Sequence, residues 1–224
     1  MSDVFSRYRE LRAEIPSHVS IVGAVKTRTA DEVRAFIEAG GRDIGHNYVQ
    51  EAEKLRAGLG DDARRVRWHM IGHLQTNKIN KCLDLFDMVQ TVDNVEKAEA
   101  IDERAGRRGA SVLPVLIEVN IGSESSKKGA MPDSGEIARI AERISALNNI
   151  RLEGLMTMGP AGGDEDALRL FFRKTREIFD GVAALNLPGV SMRTLSMGMS
   201  DSYRIAIEEG STMVRLGTVL FGGR

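Results

Sequence analysis

Eight short β-branched runs, seven of them followed by an amphipathic helical stretch, predict an α/β fold, a closed (β/α)8 TIM barrel. The run VLPVLIEVN is apolar on both faces, as a strand needs to be when helices cover one side and a core fills the other. The chain has 224 residues, with 42% hydrophobic and 28% charged, which suits one globular domain over 1–224. Such barrels usually run to about 250 residues, so this one would be small. An open doubly wound sheet is the rival arrangement of the same pattern.

The elements follow in order. An amphipathic helix over 4–15 precedes the barrel, within an N-terminal segment 1–16, and the barrel itself occupies 19–224. The first strand, 19–25, ends on Lys26, and Thr29 or Asp31 is placed to cap a helix over 30–39. A short strand at 43–45 lies among Gly40, Gly41 and Gly45; Gly45 permits a tight turn and Asn47 caps a helix over 48–57. A third strand over 66–71 leads to HMIGHLQTNK, where Thr76 is a cap candidate for a helix over 76–83. Strands at 88–92, 112–120 and 152–158 alternate with helices at 94–106, 134–147 and 165–185. PAGGDED, before the last of these helices, reads as a loop and an acidic helix start. Strands at 193–197 and 212–216 enclose a short helix over 201–208.

Composition excludes several function classes. The formal net charge of -1 offers no basis for nucleic-acid or anionic-membrane binding, and RRVRW reads as a solvated helix end beside a strand. A single cysteine, Cys82, rules out an internal disulfide framework and a cysteine zinc cluster. No apolar run reaches the roughly 18 residues that span a membrane. MSDVFSRYRELRAEI lacks the apolar middle of a secretory signal, so the cytoplasm is the expected compartment.

A barrel gathers its chemistry at the C-terminal strand ends. Lys26 ends the first strand; its long stem reaches solvent, or its amine is held in the mouth to form a Schiff base with an aldehyde. His69 and His73 are four apart, but Gly72 breaks the helical spacing a zinc site would need and HExxH is missing, so no metal is expected. His73 is the better pocket candidate and His69 the better core or outer-face residue. Ser200 and Asp201 precede a helix start, and Gly217 and Thr218 follow Arg215 and Leu216, so the last two strands offer an anion cradle. An amine, an anion pocket and the fixed charge of Arg215 suit a ligand with a carbonyl and a phosphate. Pyridoxal 5'-phosphate meets those demands, and a sugar phosphate on an aldolase-like lysine meets them nearly as well.

Taken together, AVKTRTADEV, GHNYVQEA, WHMIGHLQTNK, VLIEVNIGSESSKKG, GLMTMGP and LSMGMSDSYRIAIEEGSTMVRLGTVLFG resemble the pyridoxal-phosphate homeostasis proteins, single-domain relatives of the alanine racemase N-terminal barrel. The resemblance spans nearly the whole chain. It implies a reversible Schiff base on Lys26, phosphate contacts from Ser200, Gly217 and Thr218 with Met199 at the same end, and Arg215 facing the pyridine nitrogen. It further implies that Asn47 and His73 lie near the ring and that Lys127 takes part in cofactor handling. Two positions depart from the family pattern: GHN stands where GEN is usual, and VKTR where SKTK is frequent, which places His46 and Arg28 beside the expected pocket.

Alanine-racemase-like catalysis needs a second acid/base, a tyrosine from a C-terminal β domain, and the expectation here is that such a domain is missing. Tyr8, Tyr48 and Tyr203 all fall on expected helices. The resemblance therefore implies a non-enzymatic cofactor-binding protein of vitamin B6 homeostasis, exchanging pyridoxal phosphate with apo-enzymes or free amino acids and acting as a monomer. A weak amino-acid racemase is the main alternative and a Schiff-base aldolase the next.

Overall fold

Strands β1 (Ser20–Ala24), β2 (Asp43–His46), β3 (Arg67–Met70), β4 (Met88–Val92), β5 (Leu113–Glu118), β6 (Ile150–Met156), β7 (Thr194–Ser196) and β8 (Met213–Leu216) are all parallel and close in sequence order. β8 pairs with β1, joining Ser20 to Met213 and Gly23 to Leu216, which excludes the open sheet. The computed structural model describes residues 3–109, 111–121, 129–159 and 164–223.

Helices α1 (Asp3–Glu14), α2 (Ala30–Glu38), α3 (Val49–Leu59), α4 (Ile79–Leu85), α5 (Val95–Gly106), α6 (Ser134–Ser145), α7 (Glu165–Ala184), α8 (Tyr203–Glu208) and α9 (Thr218–Phe221) surround the barrel. Their starts follow from side chains that satisfy the orphan N–H groups of a first turn. Thr29 and Glu32 form a reciprocal capping box on α2. Asn94, Asp133 and Asp164 accept from the N–H three residues on, at the heads of α5, α6 and α7. Asn47 does not cap α3: that position belongs to Tyr48, whose N–H donates to His46 Nδ1 at 3.2 Å. Thr76 opens a short 3-10 turn, Thr76–Lys78, before α4 rather than capping a helix.

Val19 and Val25 are fully buried yet lie just outside β1, because the apolar pattern records burial and not ladder pairing. Two short elements were not expected, the 3-10 turn Gly60–Arg65 and α9. α1 packs on α2 and α9, with Tyr8 edge-on to Phe36 at 4.9 Å. The Arg12 guanidinium fixes the entry to β1 by donating to the carbonyls of Val19, Ile15 and Pro16. Gly45 is a packing glycine within β2, not a turn: a Cβ there would fall 2.7 Å from Ile71 Cδ1 and 3.0 Å from Val22 Cγ1.

Inside the barrel, Met88, Leu116 and Met156 form a buried apolar cluster distinct from the layer between strands and helices. Among the described residues no helix is long and apolar enough to cross a membrane.

Candidate functional site: a cavity at the barrel mouth

The C-terminal strand ends open onto a cavity of about 570 Å³. Eight of the residues singled out from sequence line it: Lys26 beyond β1, Asn47 beyond β2, Met199, Ser200 and Asp201 beyond β7, and Arg215, Gly217 and Thr218 at the end of β8 and the start of α9. Ala24 and Lys26 share one face of the chain, two residues apart, so the amine-bearing side chain follows the inward face of its strand.

The turn after Lys26 is held under strain. Thr27 has φ 64, in the left-handed region that β-branched residues rarely adopt. Arg28 secures the turn. Its guanidinium donates to Gly222 O at 2.7 Å and to Glu32 Oε1 at 3.3 Å, and lies 5.6 Å from the centre of the Phe221 ring. Arg28 is thus a strap between the β1 loop and the end of α9.

Arg215 is almost fully buried. Nη1 donates to Ser196 O at 2.9 Å and to Ser196 Oγ at 2.7 Å; Nη2 donates to Thr157 O at 2.8 Å. Burial lowers its pKa to about 10, with the Glu118 charge opposing that shift, and the group stays cationic at neutral pH. The cavity therefore has a fixed positive wall whose orientation is set by backbone and hydroxyl oxygens.

Beyond Arg215, Ser200 Oγ accepts from the N–H groups of Gly217 and Val219, at 3.1 and 3.3 Å. One hydroxyl thereby joins the loop after β7 to the first turn of α9, and Thr218 lies between the two bonded residues. Asn47 reaches the cavity because Gly72 lets the chain after β3 pass close to it: a Cβ on Gly72 would fall 2.3 Å from Asn47 O. That close approach explains the glycine of HMIGHLQTNK.

His73 lies elsewhere. It is exposed in an adjacent cleft with Tyr48, Gln75 and Lys78, and its Nδ1 is 4.0 Å from Asp93 Oδ2. The chain leaves β3 before it, and Ile71 faces the main cavity instead. His46 is buried beside a third cleft lined by Thr27, Arg28 and Glu51; burial holds its pKa down, with Glu51 partly opposing. Lys127 lies outside the described residues.

Sequence reasoning missed Ala24, Ile71, Met158 and Val219 as lining residues, and it missed Glu118. Glu118 ends β5, is buried, and its Oε2 has no hydrogen-bond partner among the described residues. Burial raises its pKa to about 7, helped by the charge of Asp93 and opposed by Lys97 and Arg215. A lone carboxyl inside the apolar run VLIEVN was the available signal. Lys97 Nζ lies 2.7 Å from Asp93 Oδ1 in the same buried cluster. Among the described residues no three His, Cys, Asp or Glu side chains gather in an arrangement that would hold a metal ion.

The family model for the alanine racemase N-terminal domain matches residues 2–224. The pyridoxal phosphate homeostasis protein of Pseudomonas aeruginosa is 38% identical over 209 residues, covering 93% of this chain and 86% of that protein. PipY of Synechococcus elongatus, solved with PLP bound, superposes with a TM-score of 0.88 at 30% identity, over 98% of this chain and 100% of PipY. PipY solved without PLP gives a TM-score of 0.91 at 31% identity, with the same coverage of both chains. This chain belongs to the pyridoxal phosphate homeostasis protein family, built on the alanine racemase N-terminal domain.

Proposed function

We propose that this chain binds pyridoxal 5'-phosphate in the mouth cavity and serves cofactor homeostasis as a carrier, without turning over a substrate. One observation carries the reading: the Lys26 amine, the Arg215 cation and the Ser200–Gly217–Thr218 turn share a single cavity at the end of the barrel where such folds bind phosphate. Bound pyridoxal phosphate supplies an aldehyde that condenses reversibly with an amine, water leaving as the carbon–nitrogen bond forms. Lys26 is assigned that amine. Ser200, Gly217 and Thr218, with Met199 beside them, are assigned the phosphate, Arg215 the ring nitrogen and Asn47 the ring face.

The carrier reading is favoured over a racemase by where the tyrosines sit. Tyr203 OH donates to Glu14 at 2.9 Å, Tyr8 OH is directed at Gly40 O, and Tyr48 stands in the adjacent cleft. None of them lines the cavity, so the described residues place no phenol opposite Lys26. Apo-enzymes or free amino acids are the proposed acceptors and the cytoplasm the proposed compartment, with the chain acting as a monomer and taking no part in membrane or nucleic-acid binding. Lys127 and His73 are assigned at most to cofactor entry or release, since His73 stands apart from the cavity.

The test is an absorption spectrum after addition of pyridoxal phosphate, followed by borohydride reduction and peptide mapping. An imine band and a pyridoxyl adduct on Lys26, both lost in Lys26→Ala, are expected. An adduct on another lysine would overturn the site. Racemisation of either enantiomer of an amino acid above the rate of free cofactor, lost with Lys26→Ala, would replace the carrier by an enzyme.

A further inference from the structure

Five buried side chains from five strands form an unbroken hydrogen-bonded line through the barrel interior. Arg215 Nη1 meets Ser196 Oγ at 2.7 Å, and Ser196 Oγ meets Gln90 Oε1 at 2.8 Å. Gln90 Nε2 meets His69 Nδ1 at 2.9 Å, and His69 Nε2 meets Asp43 Oδ1 at 2.9 Å. Asp43 opens β2, at the N-terminal end of its strand, and Arg215 lines the cavity at the mouth. All five are buried, so no bulk water competes for these bonds.

The direction of every bond follows from the two ends. A guanidinium only donates, so Ser196 Oγ accepts from Arg215 and its own hydrogen goes to Gln90 Oε1. That fixes the amide with its nitrogen toward His69 and Met213, where Nε2 also has Met213 Sδ at 3.2 Å. His69 Nδ1 is then an acceptor and its proton sits on Nε2, donated to Asp43. A carboxylate only accepts, which closes the line. Asp43 also accepts from Arg67 Nε at 2.7 Å; burial pushes its pKa up, but the bonds from His69 and Arg67 and the Arg67 charge outweigh that and keep it ionised. Donors all point one way, from the cation at the cavity to the anion at the base.

We propose that Ser196, Gln90, His69 and Asp43 are positioning residues that orient and hold the Arg215 guanidinium at the cavity wall through this one-way relay. The relay stands whether or not the ligand is pyridoxal phosphate; its consequence for ligand binding rests on the function proposed above. Ser196 is the joint that matters most. Without its hydroxyl, the Gln90 amide loses its tie to Arg215, and Asp43 alone is left to hold the His69 proton on Nε2.

The measurement is nitrogen NMR of the imidazoles in the ligand-free chain, with His69→Gln identifying the His69 signal among the four histidines. A proton on Nε2 and a bare Nδ1 are expected in the parent, which needs no variant to fold. In Asp43→Asn, whose amide can donate or accept, the proton should stay on Nε2, held there through Ser196 and Gln90; adding Ser196→Ala should move the signal toward a mixture of tautomers, and Ser196→Thr in its place should restore it. Affinity for pyridoxal phosphate should fall by about tenfold in Ser196→Ala and Gln90→Met, with a displaced absorption maximum, and return in Ser196→Thr. A proton on Nδ1 in the parent, or a His69 tautomer that in the Asp43→Asn background is indifferent to Ser196→Ala, would overturn the relay. Failure of the parent to bind pyridoxal phosphate would instead overturn the function proposed above and leave the NMR result to stand.

Discussion

Ser196, Gln90 and His69 meet side chain to side chain through directed hydrogen bonds, whereas Met88, Leu116 and Met156 touch only through apolar surface. Both groups are buried in the same barrel. The first, from β3, β4 and β7, leads to a cation that must face one way; the second, from β4, β5 and β6, has only volume to fill. Hydrogen bonds specify orientation and are costly when one partner is lost, while thioethers adapt to neighbours and tolerate exchange. The difference separates the part of the interior that serves the cavity from the part that holds the fold.

Three substitutions sharpen or break that division, beginning with the largest effect. Leu116→Ala should destabilise the chain by about 2–5 kcal/mol, the usual result of emptying a fully buried leucine site, read as a lower urea midpoint. The His69 tautomer and the affinity for pyridoxal phosphate should stay as in the parent; movement of either would mean that the two regions are one.

Glu118 lies at the border, on β5 with Leu116 but within reach of the Arg215 charge. Its carboxyl titrates near 7 in the folded chain, against 4.5 ordinarily, so over that interval the folded state holds a proton that the unfolded state has released. The stability it contributes is full below about pH 4.5 and is lost as pH rises through 7. Glu118→Gln should remove that slope and gain roughly 2–3 kcal/mol over the parent at pH 8, seen in urea melts across pH 5 to 8. Parallel curves for the two proteins would show that Glu118 has a partner that keeps it ionised. Met88→Leu, which conserves volume in the apolar cluster, should cost less than about 1.5 kcal/mol and leave the cavity unchanged.

Much of this molecule was legible in its sequence because the signals are local. The alternation of strand and helix, the Thr29 cap and Lys26 at a strand end each depend on residues a few positions apart. The meeting of Ser200 with Gly217 was legible for a different reason: a barrel brings its last two strands together, so topology supplied the long-range pairing. His69 was placed only as a core or outer-face residue, and the relay stayed hidden because Gln90 meets Ser196 across 106 positions. No periodicity reports such a pair. Asn47 was misassigned as a cap because a short polar side chain before a helix has that role so often, while Gly72, which gives it access to the cavity, acts from another strand. His73 went astray because the inward face alternates only as long as the strand lasts, and β3 ends at Met70.

The Arg28 strap has a mechanical consequence. It fastens the segment carrying the amine to the carbonyls at the end of α9, the helix that starts with Thr218. The loop that carries Lys26 and the helix that starts at Thr218 are therefore one body: whatever loosens one also slackens the other. Movement of the β1 loop and movement of α9 are in that sense a single event.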